Sequence, residues 1–175
     1  NINQSGYQLL NIIESIFDIS NIEAGITKVQ LKEFDLNSMV HYLEGIAKTE
    51  KNKFGKEEIQ ILFTLPKNSK NIKVNSDRNK IQQVLINLLV NALKFTDKGS
   101  IEFGYLIENN INLKFYVKDT GIGIREDKKE IIFEKFRQIE EGDTREYGGV
   151  GLGLSIAKKI VELLGGEIWL DSKLG

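Results

Sequence analysis

The sequence predicts an α+β fold: a two-layer α/β sandwich whose mixed sheet is covered by helices on one face, preceded by one long N-terminal helix. Three observations point there. Segments alternating apolar and polar with period two interleave with segments of helical period. Two neighbouring alternating runs, Ile101, Phe103, Tyr105, Ile107 and Ile111, Leu113, Phe115, Val117, flank Asn109-Asn110, a pair able to take positive φ, so one strand pair is antiparallel. The chain of 175 residues has no cysteine and is long enough to bury a full core without staples.

Each element follows from its local pattern. From Ile2 to about Ala24, Ile2, Leu9 and Ile16 recur every seven residues beside Ile12, Ile19 and Ile26, an a/d seam widened by Ile13 and Phe17. Gly25 is a C-cap candidate. Packing against its own domain and pairing with a second chain both suit this helix, and its terminal position favours the second. VQLKEFDL (29–36) alternates as a strand, after which Asp35 or Asn37 caps a helix of roughly Ser38 to Lys51. IQILFTL and NIKVNSD are short strands around the only proline, Pro66. Asp77 stands at the N-cap of a long helix. The hairpin follows, then a glycine-punctuated region, an amphipathic helix from about Gly151 to Leu164 and a strand EIWLD.

Composition narrows the function. With 24 Lys and Arg against 25 Asp and Glu, the formal charge is −1, which argues against a surface for nucleic acid and leaves a small anionic ligand open. Thiolate metal sites are excluded, and the single histidine, His41, forms no His-rich cluster. No apolar run is long enough to span a bilayer and no signal-like segment opens the chain, so a soluble, cytoplasmic domain is expected.

Three segments carry candidate chemistry. In NLLVNALKFT (87–96), Asn87, Asn91 and Lys94 form one polar stripe on a helix whose other positions are apolar. An unpartnered buried amide costs on the order of 1–3 kcal/mol, so the stripe should face a cleft holding something polar. DTGIGI (119–124) places Asp119 at the end of a strand, with Gly121 and Gly123 allowing close backbone approach; taken alone, Asp119 reads as an Asx-turn residue. GGVGLGL (148–154) runs into a helix, and glycine-rich amides at a helix start suit a phosphate. Its spacing at Gly149, Gly151 and Gly153 fails the dinucleotide fingerprint because Leu154 takes the last position, and no Walker-type loop occurs. Between the glycine segments, Phe133 and Phe136 bracket a short helical turn, and the polar stretch after them suits a lid.

In this order the segments resemble the catalytic, ATP-binding domain of sensor histidine kinases, within the superfamily shared with the gyrase B subunit and the mismatch-repair ATPases. DRNKIQQVLINLLVNALKFT is similar to the N box, DTGIGI to the first glycine box, FEKF to the F box and GGVGLGL to the second glycine box. IIESIFDISNIEAG is similar to the second helix of the dimerisation and phosphoacceptor domain. The resemblance implies that residues 1–26 belong to that helical domain and 27–175 to the catalytic domain, with the family's pattern continuing beyond both ends. It implies that Asn91 ligates Mg2+, that Asp119 accepts from the adenine amino group and that Lys94 meets phosphate charge. The backbone of Gly149, Val150, Gly151, Leu152, Gly153 and Leu154 would wrap the phosphates. Asn87 takes the place where hydrolysing relatives carry a glutamate base, and an amide cannot take a proton in that role.

The implied activity is therefore a protein-histidine kinase: ATP bound with Mg2+, its γ-phosphate passed to a histidine of the phosphoacceptor helical domain, and onward to a response regulator, in a parent that is a homodimer. That histidine normally lies on the helix preceding residue 1, so this chain should not phosphorylate itself; His41 falls on the catalytic side of the boundary and reads as an ordinary helix residue. In the F box, the family's phosphate-contacting arginine often sits one place after Arg137, where this chain has Gln138. Two rivals stand beside this reading. One is a hydrolysing ATPase of the gyrase and mismatch-repair type, which Asn87 opposes. The other is an inactive nucleotide-binding docking module, which the intact motif residues oppose.

Overall fold

A computed structural model describes residues 2–66, 72–109, 112–137 and 151–174. Among these residues, four α-helices and five strands follow in the order α1 (Ile2–Glu23), β1 (Lys32–Asp35), α2 (Leu36–Lys53), β2 (Ile59–Thr64), β3 (Lys73–Ser76), α3 (Arg78–Phe95), β4 (Gly99–Glu108), β5 (Asn112–Asp119) and α4 (Gly153–Leu163). Strands β2, β4 and β5 form a mixed sheet in that order, with β2 parallel to β4 and β4 antiparallel to β5. Strands β1 and β3 pair antiparallel as a separate ribbon. The expected sandwich is thus present, its strands shared between two sheets.

The caps lie where local chemistry puts them. Asp35 accepts from the Ser38 amide at 2.7 Å to open α2, and hydrogen bonding from the Ser38 side chain, then from its amide, lowers its carboxyl pKa from the ordinary value. Asp77 opens α3 by accepting from the Lys80 amide at 3.1 Å, while its second oxygen takes the Gln30 amide at 2.9 Å, tying the linker after α1 to the start of α3. At the end of α1, Gly25 adopts φ +66, and bonds from Gly25 N to Ile22 O and from Ile26 N to Asn21 O make a Schellman cap.

Two apolar clusters divide the interior. The larger joins Leu36, Met39, Val40 and Leu43 of α2 and Leu85, Leu89 and Leu93 of α3 to Ile101, Phe103 and Tyr105 of β4. Burial of each such side chain contributes on the order of 1.5–3 kcal/mol. The smaller joins Val84 on the opposite flank of α3 to Leu152, Ile156, Ala157 and Ile160 along α4, and takes in Ile19 from the last turns of α1. Helix α3 is therefore gripped on two sides. On the sheet's other face, Thr64 and Tyr116 both donate to Glu102 in a polar row across the three strands.

Three expectations need correction. EIWLD is not a strand: residues 166–171 run without a ladder, with Trp169 exposed beneath the Lys114 ammonium at 5.0 Å from the ring centroid, a side-chain contact in place of backbone pairing. The α4 helix begins at Gly153, because Gly151 takes φ +70. Of the two F-box phenylalanines, Phe133 is half-buried beside Lys158, while Phe136 sits at φ +60 with its side chain 60% exposed. Among the described side chains of α1, Leu9, Ile13, Ile16 and Phe17 are exposed, while Ile19 and Ile22 in its last turns pack into the smaller cluster. No helix among the described residues is long and apolar enough to cross a membrane.

Candidate functional site

Helix α3 carries the polar stripe and presents it toward the start of α4. Asn87 Nδ2 donates to Gly153 O at 3.2 Å. A Cβ on Gly153 would stand 3.9 Å from Asn87 Cγ and 4.0 Å from Asn91 Nδ2, so both amides lie over this glycine. Asn91 and Lys94 are half-buried. Burial pushes the Lys94 ammonium below the ordinary lysine value, a cost that a nearby anion would offset.

The start of α4 has the chemistry of an anion site. Its N-cap is Leu152, whose side chain supplies no capping bond, so the first-turn amides lack the oxygen that Asp35 and Asp77 give α2 and α3. Leu152 is buried in the smaller core, and Leu154 is half-buried. Gly151 lies flush on the F box: a Cβ there would come within 2.9 Å of Arg137 N and 3.0 Å of its carbonyl carbon, and Phe136 N donates to Gly151 O at 3.1 Å. Arg137 itself pairs with Glu134 at 3.0 Å at the surface. Gly149, Val150 and Gln138, with most of the polar stretch expected to serve as a lid, lie outside the described residues.

The first glycine segment meets the other end of the stripe. Ile122 N donates to Phe95 O at 3.2 Å, one turn beyond Asn91. A Cβ on Gly121 would lie 2.9 Å from both the Phe95 carbonyl carbon and Asp119 Oδ1, and nearer still to Phe95 O. Asp119 is exposed at the end of β5, and its Oδ1 accepts from Gly121 N at 2.9 Å. The Asx turn is therefore real, and its second oxygen accepts no bond from the described residues. Gly123 is pressed against the Lys173 carbonyl, beside the 2.9 Å bond from Ile124 N to Ser172 Oγ.

Both glycine segments thus converge on α3, one at Asn87 and Asn91, the other at Phe95. Among the described residues, these groups line one trough along α3. A cavity of about 450 Å³ lined by Lys48, Lys51, Glu57 and residues of β2 lies at the outer edge of the sheet, two strands from Asp119, and gathers none of these groups. Sequence reasoning missed the Phe95 carbonyl and the Lys173–Ser172 contact, since a backbone oxygen carries no signature of its own. His41 sits on α2 with its ring edge-on to Phe63 at 5.2 Å and Nδ1 at 3.6 Å from Glu44, away from the trough, as an ordinary helix residue would.

Among the described residues no group of three or more His, Asp or Glu could hold a metal by itself. The Asn91 amide oxygen is a hard ligand of the kind Mg2+ takes together with phosphates and water.

The family profile described as histidine kinase-, DNA gyrase B- and HSP90-like ATPase matches residues 76–175. The circadian input-output histidine kinase CikA of Synechococcus elongatus is 38% identical over 174 residues, 99% of this chain and 23% of its own length. The chain thus spans about a quarter of that curated relative. Among solved structures, full-length ShkA in complex with AMPPNP superposes with a TM-score of 0.81 at 26% identity, covering 98% of this chain and 34% of that one. The histidine kinase ThkA in complex with the response regulator TrrA gives 0.66 at 26% identity, covering 92% and 44%. The chain belongs to the histidine kinase-, DNA gyrase B- and HSP90-like ATPase family, as the catalytic ATP-binding domain of a sensor histidine kinase.

Proposed function

We propose that this chain binds ATP with Mg2+ and transfers the γ-phosphate to a histidine outside residues 1–175, as the catalytic module of a two-component protein-histidine kinase. In that step the bond from the γ-phosphorus to its bridging oxygen breaks, a phosphorus–nitrogen bond forms on the imidazole and ADP leaves. Bound Mg2+ neutralises charge on the phosphate oxygens. Asn91 would hold the ion, Lys94 would meet the phosphates, and the amides of Gly149 to Leu154 would cradle them. Asp119 would accept from the adenine amino group, a bond to a charged acceptor worth roughly 1.5–3 kcal/mol.

The observation that carries the reading is the amide at position 87. It lies against the start of α4, where the hydrolysing relatives' general base would stand, and donates to the Gly153 carbonyl. A neutral amide holds the nucleotide without activating water, which favours transfer over hydrolysis and counts against the ATPase alternative.

Residues 1–26 would be the second helix of the dimerisation and phosphoacceptor domain, with residues 27–175 the catalytic domain. The open seam of Leu9, Ile13, Ile16 and Phe17 supports a helical partner there, and so a homodimeric parent. A response regulator would be the final acceptor, as the ThkA–TrrA complex suggests by likeness, and the cytoplasm is where such partners meet. The test is phosphorylation with γ-labelled ATP. The chain alone should stay unlabelled while labelling a supplied helical domain that bears the acceptor histidine. Label on His41, or steady phosphate release with no acceptor labelled, would sink the proposal.

A further inference from the structure

Lys56 is only 8% exposed, an unusual place for a lysine, in the loop after Gly55 where α2 gives way to β2. Its ammonium group reaches forty residues along the chain. Nζ donates to Thr96 O at 3.1 Å, the C-cap residue of α3, and pairs with the Asp97 carboxylate. A cation at the C-terminal end of a helix complements its dipole, and one at a buried carbonyl holds that backbone in one place.

The segment so fixed is the back wall of the first glycine segment. Residues 95–100 touch 119–122 at both ends. Phe95 O accepts from Ile122 N at 3.2 Å, and Ser100 exchanges bonds with Thr120, through Thr120 N to Ser100 O at 3.1 Å and Ser100 N to Thr120 Oγ1 at 3.0 Å. Between these two fastenings, Lys56 clamps Thr96 and Asp97. Asp119 is oriented through the amide of Gly121, which itself lies flush on the Phe95 carbonyl.

We infer that Lys56 is a positioning residue for purine recognition: by fixing Thr96 and Asp97 it sets the Phe95 carbonyl, and through Gly121 the Asp119 carboxylate that meets the base. This rests on the proposed adenine role of Asp119. A fastening needed only for folding would act on every nucleotide alike. A fastening that aims one carboxylate acts on the base that offers it a donor.

The test compares ATP with inosine triphosphate, which carries an oxygen where adenine has its amino group, by calorimetric titration of the whole chain with thermal unfolding measured in parallel. Wild type should favour ATP by about tenfold or more, the scale of one hydrogen bond to a charged group. Lys56→Met should cut that preference by most of its size and leave the inosine nucleotide's affinity within about twofold, whatever its melting temperature. Should that variant not fold, Asp97→Ala carries the test, because Asp97 is 68% exposed and its loss leaves Lys56 with a weaker hold; the preference should fall in the same direction. An unchanged preference, with both nucleotides weakened alike or neither, overturns the inference and leaves the adenine reading standing. A wild type that binds both nucleotides equally overturns the two together.

Discussion

Gly121→Ala is the most exacting test of how the trough is built. The new methyl carbon would stand 2.9 Å from Asp119 Oδ1 and from the Phe95 carbonyl carbon, and closer to Phe95 O, distances that real Cβ atoms do not adopt against backbone. Either the first glycine segment or the end of α3 must move. Movement breaks the bond from Ile122 N to Phe95 O and disturbs that from Gly121 N to Asp119 Oδ1. A neutral hydrogen bond is worth about 1 kcal/mol net, and an exposed carboxylate acceptor counts near the low end of the charged range, about 1.5 kcal/mol. Overpacking strain adds about 1 kcal/mol, and the reduced freedom of the unfolded chain returns about 0.4–1 kcal/mol. The expected loss is about 2–3 kcal/mol, a sizeable share of the 5–15 kcal/mol typical of domains. Urea unfolding should show a lower midpoint at unchanged slope. Gly45→Ala in α2, where an added methyl meets nothing within 4 Å, is the control and should gain up to about 1 kcal/mol. A Gly121→Ala protein as stable as wild type within about 0.5 kcal/mol would refute the close approach on which this part of the trough depends.

Other perturbations address single groups. Asn91→Ala should remove most of the Mg2+ dependence of nucleotide binding in calorimetry, and retained dependence would place the ion elsewhere. Lys94, its ammonium held below the ordinary lysine value by burial, binds fewer protons folded than unfolded between its folded pKa and 10.5. Apo stability should therefore rise with pH through that window relative to Lys94→Met, and the absence of any difference between the two profiles would contradict the burial effect. Thr96 is wholly buried, and its hydroxyl has no hydrogen-bond partner among the described residues. Thr96→Val removes an unsatisfied polar atom at similar volume and should raise apo stability by about 1 kcal/mol in urea unfolding; a loss of that size would show that the hydroxyl is satisfied.

What the sequence made legible was mainly local. Asp35 and Asp77 open helices that they cap within three residues, and Asn109 takes the positive φ, +53, that the hairpin requires. The stripe of Asn87, Asn91 and Lys94 could be read because helical period is a short-range property, and its placement beside the second glycine segment agrees with the ordered motifs. What escaped was decided at long range. Nothing local distinguishes EIWLD from a strand, since pairing depends on a neighbour rather than on its own alternation. Glycine at 121 announced a close approach but not that Phe95 would make it, and nothing at 151 pointed to Arg137. Nothing local marks Lys56 as buried, and its partners, forty residues on, draw it inside. The apolar seam of α1 was visible, and the fold covers only its last turns.

The most direct measurement is calorimetric titration with AMPPNP, with and without Mg2+, of wild type and Asp119→Ala. Wild type should bind one equivalent, more tightly when Mg2+ is present, and Asp119→Ala should give no detectable heat of binding. Equal affinity in the two proteins would contradict the claim that this carboxylate, held by the Gly121 amide beside the end of α3, recognises the purine.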